Sequence, residues 1–124
     1  MNLDRFDALK EGQSAKLNRT FTAEDVREWC ELCQLDQDWP GVPEPLIAGL
    51  FSYLLGEELP GHGTNYLKQH MRFEEDARIG ETLTSTVTIT HLRGDKALVN
   101  LDTLCTGEDG RMICAGDALV LFQC

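Results

Sequence analysis

Apolar and polar positions alternate through the last third of the chain. From Thr82 to Leu92, Leu83, Val87 and Ile89 fall on one face, with Thr82, Thr84, Thr86, Thr88 and Thr90 on the other. That period belongs to a half-buried strand. Arg93-Gly94-Asp95-Lys96 reads as a hairpin turn. Ala97 to Cys105 repeats the pattern, with Ala97, Val99, Leu101 and Cys105 sharing a face. After a second turn at Gly107–Gly110, Met112 to Phe122 puts Met112, Cys114, Ala118, Val120 and Phe122 together. Two further strands are predicted upstream. Thr64 to Phe73 follows a glycine- and proline-rich turn, and its neighbours Tyr66 and Leu67 should face opposite sides. Ala15 to Phe21 alternates loosely through Ala15, Leu17 and Phe21, after a lead-in from Phe6 that turns at Glu11-Gly12.

The pattern changes period twice. Val26, Trp29, Cys30 and Cys33 recur at three and four residues, one apolar stripe of a helix over Ala23 to Leu35. Thr22 is suited to its N-cap, with Glu24 and Asp25 in the first turn. Leu35 to Pro43 has loop composition. From Leu46 to Leu55 nearly every residue is apolar or small. A helix apolar on all sides must be wrapped by other elements. Pro43 and Pro45 suit its start and Gly56 its end. The run is too short to span a bilayer. A run of antiparallel strands with one such helix predicts an α+β chain, its sheet folded around the helix as in the hot-dog architecture. The open edge of such a sheet calls for a second copy, so a homodimer is expected.

Composition narrows the partners. The chain has 124 residues, consistent with one domain spanning 1–124. Twenty-one acids against 11 bases give a net charge of −10. This argues against nucleic acid and against anionic membranes. No signal or transit segment is visible at the start, so a cytoplasmic protein is expected. Five cysteines, an odd number, suit reduced thiols. Cys30-Glu31-Leu32-Cys33 lacks a second ligand pair at zinc spacing, and no metal or cofactor is expected.

The stretch Leu50-Phe51-Ser52-Tyr53-Leu54-Leu55-Gly56-Glu57-Glu58-Leu59-Pro60-Gly61-His62-Gly63-Thr64-Asn65-Tyr66-Leu67 resembles the central-helix segment of MaoC-like (R)-specific enoyl-CoA hydratases. Phe21-Thr22-Ala23-Glu24-Asp25-Val26 and Ile79-Gly80-Glu81-Thr82-Leu83 resemble two other junctions of that family. The resemblance implies a hot-dog dimer that binds acyl thioesters of coenzyme A or acyl carrier protein. It implies an acyl pocket along the central helix, which places Leu46, Ile47, Gly49, Leu50, Tyr53, His62 and Tyr66 as its lining. The thioester carbonyl is expected at the helix N-terminus, where free N–H groups stabilise negative charge.

The family's acid/base pair is missing from this pattern. Its members carry D-x-N-P-x-H before the central helix and H-G at its start. Here the matching stretch is Asp36-Gln37-Asp38-Trp39-Pro40-Gly41-Val42, with no histidine in any register, and H-G is replaced by Pro43-Glu44. Three functions remain open: a hydratase or dehydratase with altered chemistry, a thioesterase, and a non-catalytic binder or partner subunit. The candidate catalytic group is Glu44, as a buried general base with a raised pKa or as a mere helix-end charge. Asp36 and Asp38 are the lesser candidates, read first as solvated loop acids. His62, His70 and His91 read as surface histidines, and Ser52 lacks a nucleophile elbow.

Overall fold

In the computed structural model, residues 3–35 and 39–123 are described. A short helix α1 (Leu3–Asp7) leads into β1 (Ser14–Thr20), α2 (Ala23–Leu32) and α3 (Glu44–Tyr53). Four strands follow: β2 (Thr64–Phe73), β3 (Thr82–Arg93), β4 (Leu98–Thr106) and β5 (Met112–Phe122). All strand pairs are antiparallel, in the order β1-β3-β4-β5-β2, which leaves β1 and β2 at the edges. No helix among the described residues is long and apolar enough to cross a membrane.

The core lies between the inner face of the sheet and α3. Leu83, Ser85, Val87 and Ile89 of β3 face inward, as do Val99, Leu101, Thr103 and Cys105 of β4. Pairing aligns Leu17, Ser85, Cys105, Cys114 and Phe73 as one row across all five strands. Ile47, Leu50, Phe51, Leu54 and Leu55 descend from the helix onto this surface. Gly116 permits the close approach of β2 to β5. A Cβ there would collide with the His70 carbonyl oxygen and lie 2.8 Å from its carbon.

Several elements depart from the expected pattern. The α2 N-cap is as predicted: Asp25 N–H donates to Thr22 Oγ1 (3.0 Å), and Thr22 N–H to Asp25 Oδ2 (2.9 Å). The helix stops three residues short of Leu35, because Gln34 takes a positive φ of 58°. Gln34 N–H then donates to the Glu31 carbonyl and Leu35 N–H to that of Cys30, a Schellman ending that leaves Cys33 exposed. Ala97, with φ 56°, belongs to the turn and not to β4. A bulge at Thr90 in β3 leaves both Thr90 and His91 exposed, and two more break the alternation. One, at Leu67 in β2, leaves both Tyr66 and Leu67 exposed. The other, near the β4–β5 turn, exposes Met112 and buries Ile113 and Cys114 in succession.

The central helix is corrected most. It does not end at Gly56 but runs on as a π-helical turn, Leu54–Glu58. Nor is it wrapped on all sides. Pro45, Gly49, Ser52 and Tyr53 are exposed, Tyr53 by 52%. Small residues on that stripe have little side chain to bury, and among the described residues no sheet face covers it.

Candidate functional site

A cavity of about 1040 Å³ opens at the N-terminus of α3. One wall is Trp29 of α2 with Trp39 and Pro40 of the loop. Glu44 and Pro45 supply the helix end, and residues 75–79 with Arg111 the facing side. The loop is tied down by Val42 N–H, which donates to the Ala77 carbonyl (3.0 Å). Gly41 is needed beside it, since a Cβ would sit 2.8 Å from that same carbonyl oxygen.

The facing wall is fixed by a buried ion pair that sequence reasoning missed. Glu81 is 7% exposed. Its carboxylate accepts from Arg111 Nη2 (2.6 Å), Arg78 N–H (2.6 Å) and Glu108 N–H (3.2 Å). Arg111 also donates to the Asp76 carbonyl (3.0 Å) and to Asp109 Oδ1 (2.8 Å). Burial pushes the Glu81 pKa up, but the Arg78 backbone donor, the guanidinium and the Glu108 donor outweigh it and hold the carboxyl below its usual range. A Cβ at Gly107 would lie 2.6 Å from Glu81 Oε1, so the tight β4–β5 turn belongs to the same arrangement. The visible signal was an arginine in the turn opposite a glutamate ending Ile79-Gly80-Glu81.

Glu44 is the first residue of α3 and lines the cavity, but it is exposed, so the expected burial is not found. Its side chain has no hydrogen bond or ion pair among the described residues. Pro43 and Pro45 have no N–H, and Leu46 N–H is taken by the Pro43 carbonyl (3.0 Å). The Glu44 backbone N–H makes no hydrogen bond among the described residues and is one of the donors left at the helix end. Glu44 presents that donor with a carboxylate beside it. Beneath lies Cys114, whose pKa is pushed up to about 11 by burial, then by the Cys105 thiol and the Glu44 charge. It stays a thiol at neutral pH and offers no nucleophile.

The other sequence candidates scatter. Asp36 and Asp38 lie outside the described residues. Ile47 and Leu50 are spent in the core, and Leu46 is half-buried against it. Gly49 and Tyr53 lie on the open helix face. Tyr66 lines a second recess of about 290 Å³ with Ala48, Ser52 and Met71, where Ser52 Oγ donates to Tyr66 Oη at 3.4 Å. Residues 45, 48, 49, 52 and 53 share one helical face, so that stripe leads from the large cavity to this recess. No histidine lines the large cavity. His62 pairs with Glu57 (2.7 Å) and His91 with Glu11 (3.5 Å), both at the surface. His70 sits opposite Asp117 on the outer face of the sheet. Among the described residues no cluster of metal-ligating side chains occurs, and Cys30, Cys33, Cys105 and Cys114 are free.

No protein-family profile matches the chain. It is 35% identical to an (R)-specific enoyl-CoA hydratase of Rhodospirillum rubrum, covering 96% of this chain and 92% of that one. The chain belongs to the (R)-specific enoyl-CoA hydratase family. Identity to the Aeromonas caviae member is 34%, over 91% of this chain and 95% of that protein. The solved structure of the A. caviae (R)-hydratase superposes with a TM-score of 0.86 at 33% identity, covering 94% of this chain and 98% of that one. The fold is that of the hot-dog hydratases.

Proposed function

We propose that this hydratase-family protein binds acyl-CoA thioesters with the carbonyl at the N-terminus of α3, and lacks the acid/base pair for hydration. The observation that carries the reading is the large cavity itself. It meets the uncommitted Glu44 N–H, while no imidazole lines it. The backbone donor and the helix end suit a carbonyl oxygen. The acyl chain runs from there along the open stripe of α3 toward Tyr66.

That stripe and the free edge of β2 call for a second chain, and a copy of this one is the expected occupant. Light scattering at micromolar concentration should give twice the chain mass of 13.9 kDa. A monomer at every concentration would remove the pocket's missing wall from the account.

A second reading is favoured by one observation: the Glu44 carboxylate, with no partner among the described residues, lines the cavity at the helix end. A carboxylate there either activates water against the thioester or opposes the oxyanion that hydrolysis must form. The wild type, Glu44→Gln and Glu44→Gly separate these roles with butyryl-CoA as probe. We expect background hydrolysis in the wild type, and binding tightened about twofold to fivefold in Glu44→Gly as the opposing charge is removed. Hydrolysis by the wild type that is abolished in Glu44→Gln would make Glu44 a general base and the protein a thioesterase.

A further inference from the structure

Cys30 and Cys33 stand one turn apart at the end of α2, with Cys33 as the C-cap. The Cys33 N–H donates to the Trp29 carbonyl (3.0 Å), so the turn is still closed there. Residues three apart on a helix share a face, with Cα atoms about 5 Å apart. A disulfide spans Cα separations of about 4.4–6.8 Å. Its Cβ atoms must approach to about 3.8 Å, closer than the 5–6 Å of a regular turn. Past Cys33 the backbone leaves the helix at Gln34, with φ 58°, so this last turn can tighten at the expense of its terminal hydrogen bonds. Access divides the two thiols. Cys33 is exposed, while Cys30 is only 6% exposed. Cys105 and Cys114 are wholly buried in the core.

From this spacing and this division of access, we propose that Cys30 and Cys33 form a modification site, a dithiol that closes to a disulfide by exchange with a small disulfide. The Cys33 thiolate attacks one sulfur of the small disulfide and expels the first thiolate. Cys30, its proton given up to solvent, then attacks Cys33 Sγ and expels the second. Two protein thiols are oxidised to one disulfide, and one small disulfide is reduced to two thiols. Closure tightens the turn to which Trp29 belongs. The Trp29 ring lines the cavity and meets Trp39, 5.7 Å away between centroids, so the state of the dithiol reaches the cavity wall.

Oxidised glutathione, added to the intact protein and followed by peptide mass mapping, tests the site. Over the minutes to hours of uncatalysed exchange, the wild type should acquire a Cys30–Cys33 link. Cys30→Ala cannot resolve the adduct, so it should accumulate glutathione on Cys33 at least about tenfold more than the wild type. In Cys33→Ser, Cys30 should stay a free thiol, with thermal melting confirming that both variants fold. Tryptophan emission should shift as the wild type closes, return on addition of dithiothreitol and stay constant in Cys33→Ser. A glutathione adduct that persists on wild-type Cys33 without a link to Cys30, or no reaction at Cys33, overturns the proposal. A link that leaves the emission unmoved overturns its connection to the cavity.

Discussion

Crotonyl-CoA mixed with the purified protein is expected to keep its double bond. Turnover should fall below about 0.01 per second, roughly a thousandfold under the ordinary enzymatic scale of about 10 per second. Hydration needs a base to take a proton from water and an acid to deliver one to the substrate's α-carbon. Each is worth about 10²- to 10⁴-fold, and groups that act as a unit fail together. The chain has no histidine between its start and His62, so none can stand on the loop before α3. Glu44 is exposed, and the Cys114 thiol is protonated at neutral pH. Absorbance of the enoyl thioester, followed at micromolar protein, checks this. Turnover near 10 per second would mean that an acid outside the described residues, Asp36 or Asp38, does the chemistry.

Glu81→Ala is expected to cost about 3 kcal/mol, which lowers the melting midpoint of a chain this size by about 10 °C. The cost comes from what is left behind. Arg111 loses its most buried partner, and the N–H groups of Arg78 and Glu108 lose their acceptor. Glu75→Ala should leave the midpoint unchanged, because that exposed carboxylate makes no bond among the described residues. The pH dependence follows from the lowered Glu81 pKa. In the unfolded chain the group titrates near about 4.3. Its contribution is fully present above that value and is lost as pH falls through the lower folded value. The gap between wild type and Glu81→Gln should therefore stay constant from neutral pH to about pH 5, then close on further acidification. A gap that widens in acid would contradict the donor arrangement around Glu81.

Much of the sheet was legible because its inner face is buried and its outer face is wet. A one-residue slip in Leu83-x-x-x-Val87-x-Ile89 would turn the whole set outward, so register follows from pattern. The bounds of β2 and β5 were read from sequence as they stand in the structure. The bulges at Leu67, Thr90 and Ile113 were not, since an extra residue in one strand leaves the composition unchanged. The isolated Gly116 inside β5 was a visible sign of close backbone approach. The open stripe of α3 escaped for a different reason. An apolar helix reads as wrapped whether its cover comes from its own chain or from another. At the site, the residue types at the helix end were legible, Glu44 between two prolines above all. Their surroundings were not. The Glu81–Arg111 pair joins positions thirty residues apart, and the meeting of Trp29 with Trp39 depends on how the loop returns across α2.

The central claim is that the end of α3 holds an acyl thioester. Because both tryptophans line that cavity, their fluorescence reports on it directly. Titration with butyryl-CoA should give a saturable change with one ligand per chain, complete below about 1 mM, and free coenzyme A should not reproduce it at the same concentrations. An unchanged spectrum up to several millimolar butyryl-CoA, with calorimetry equally silent, would contradict the account.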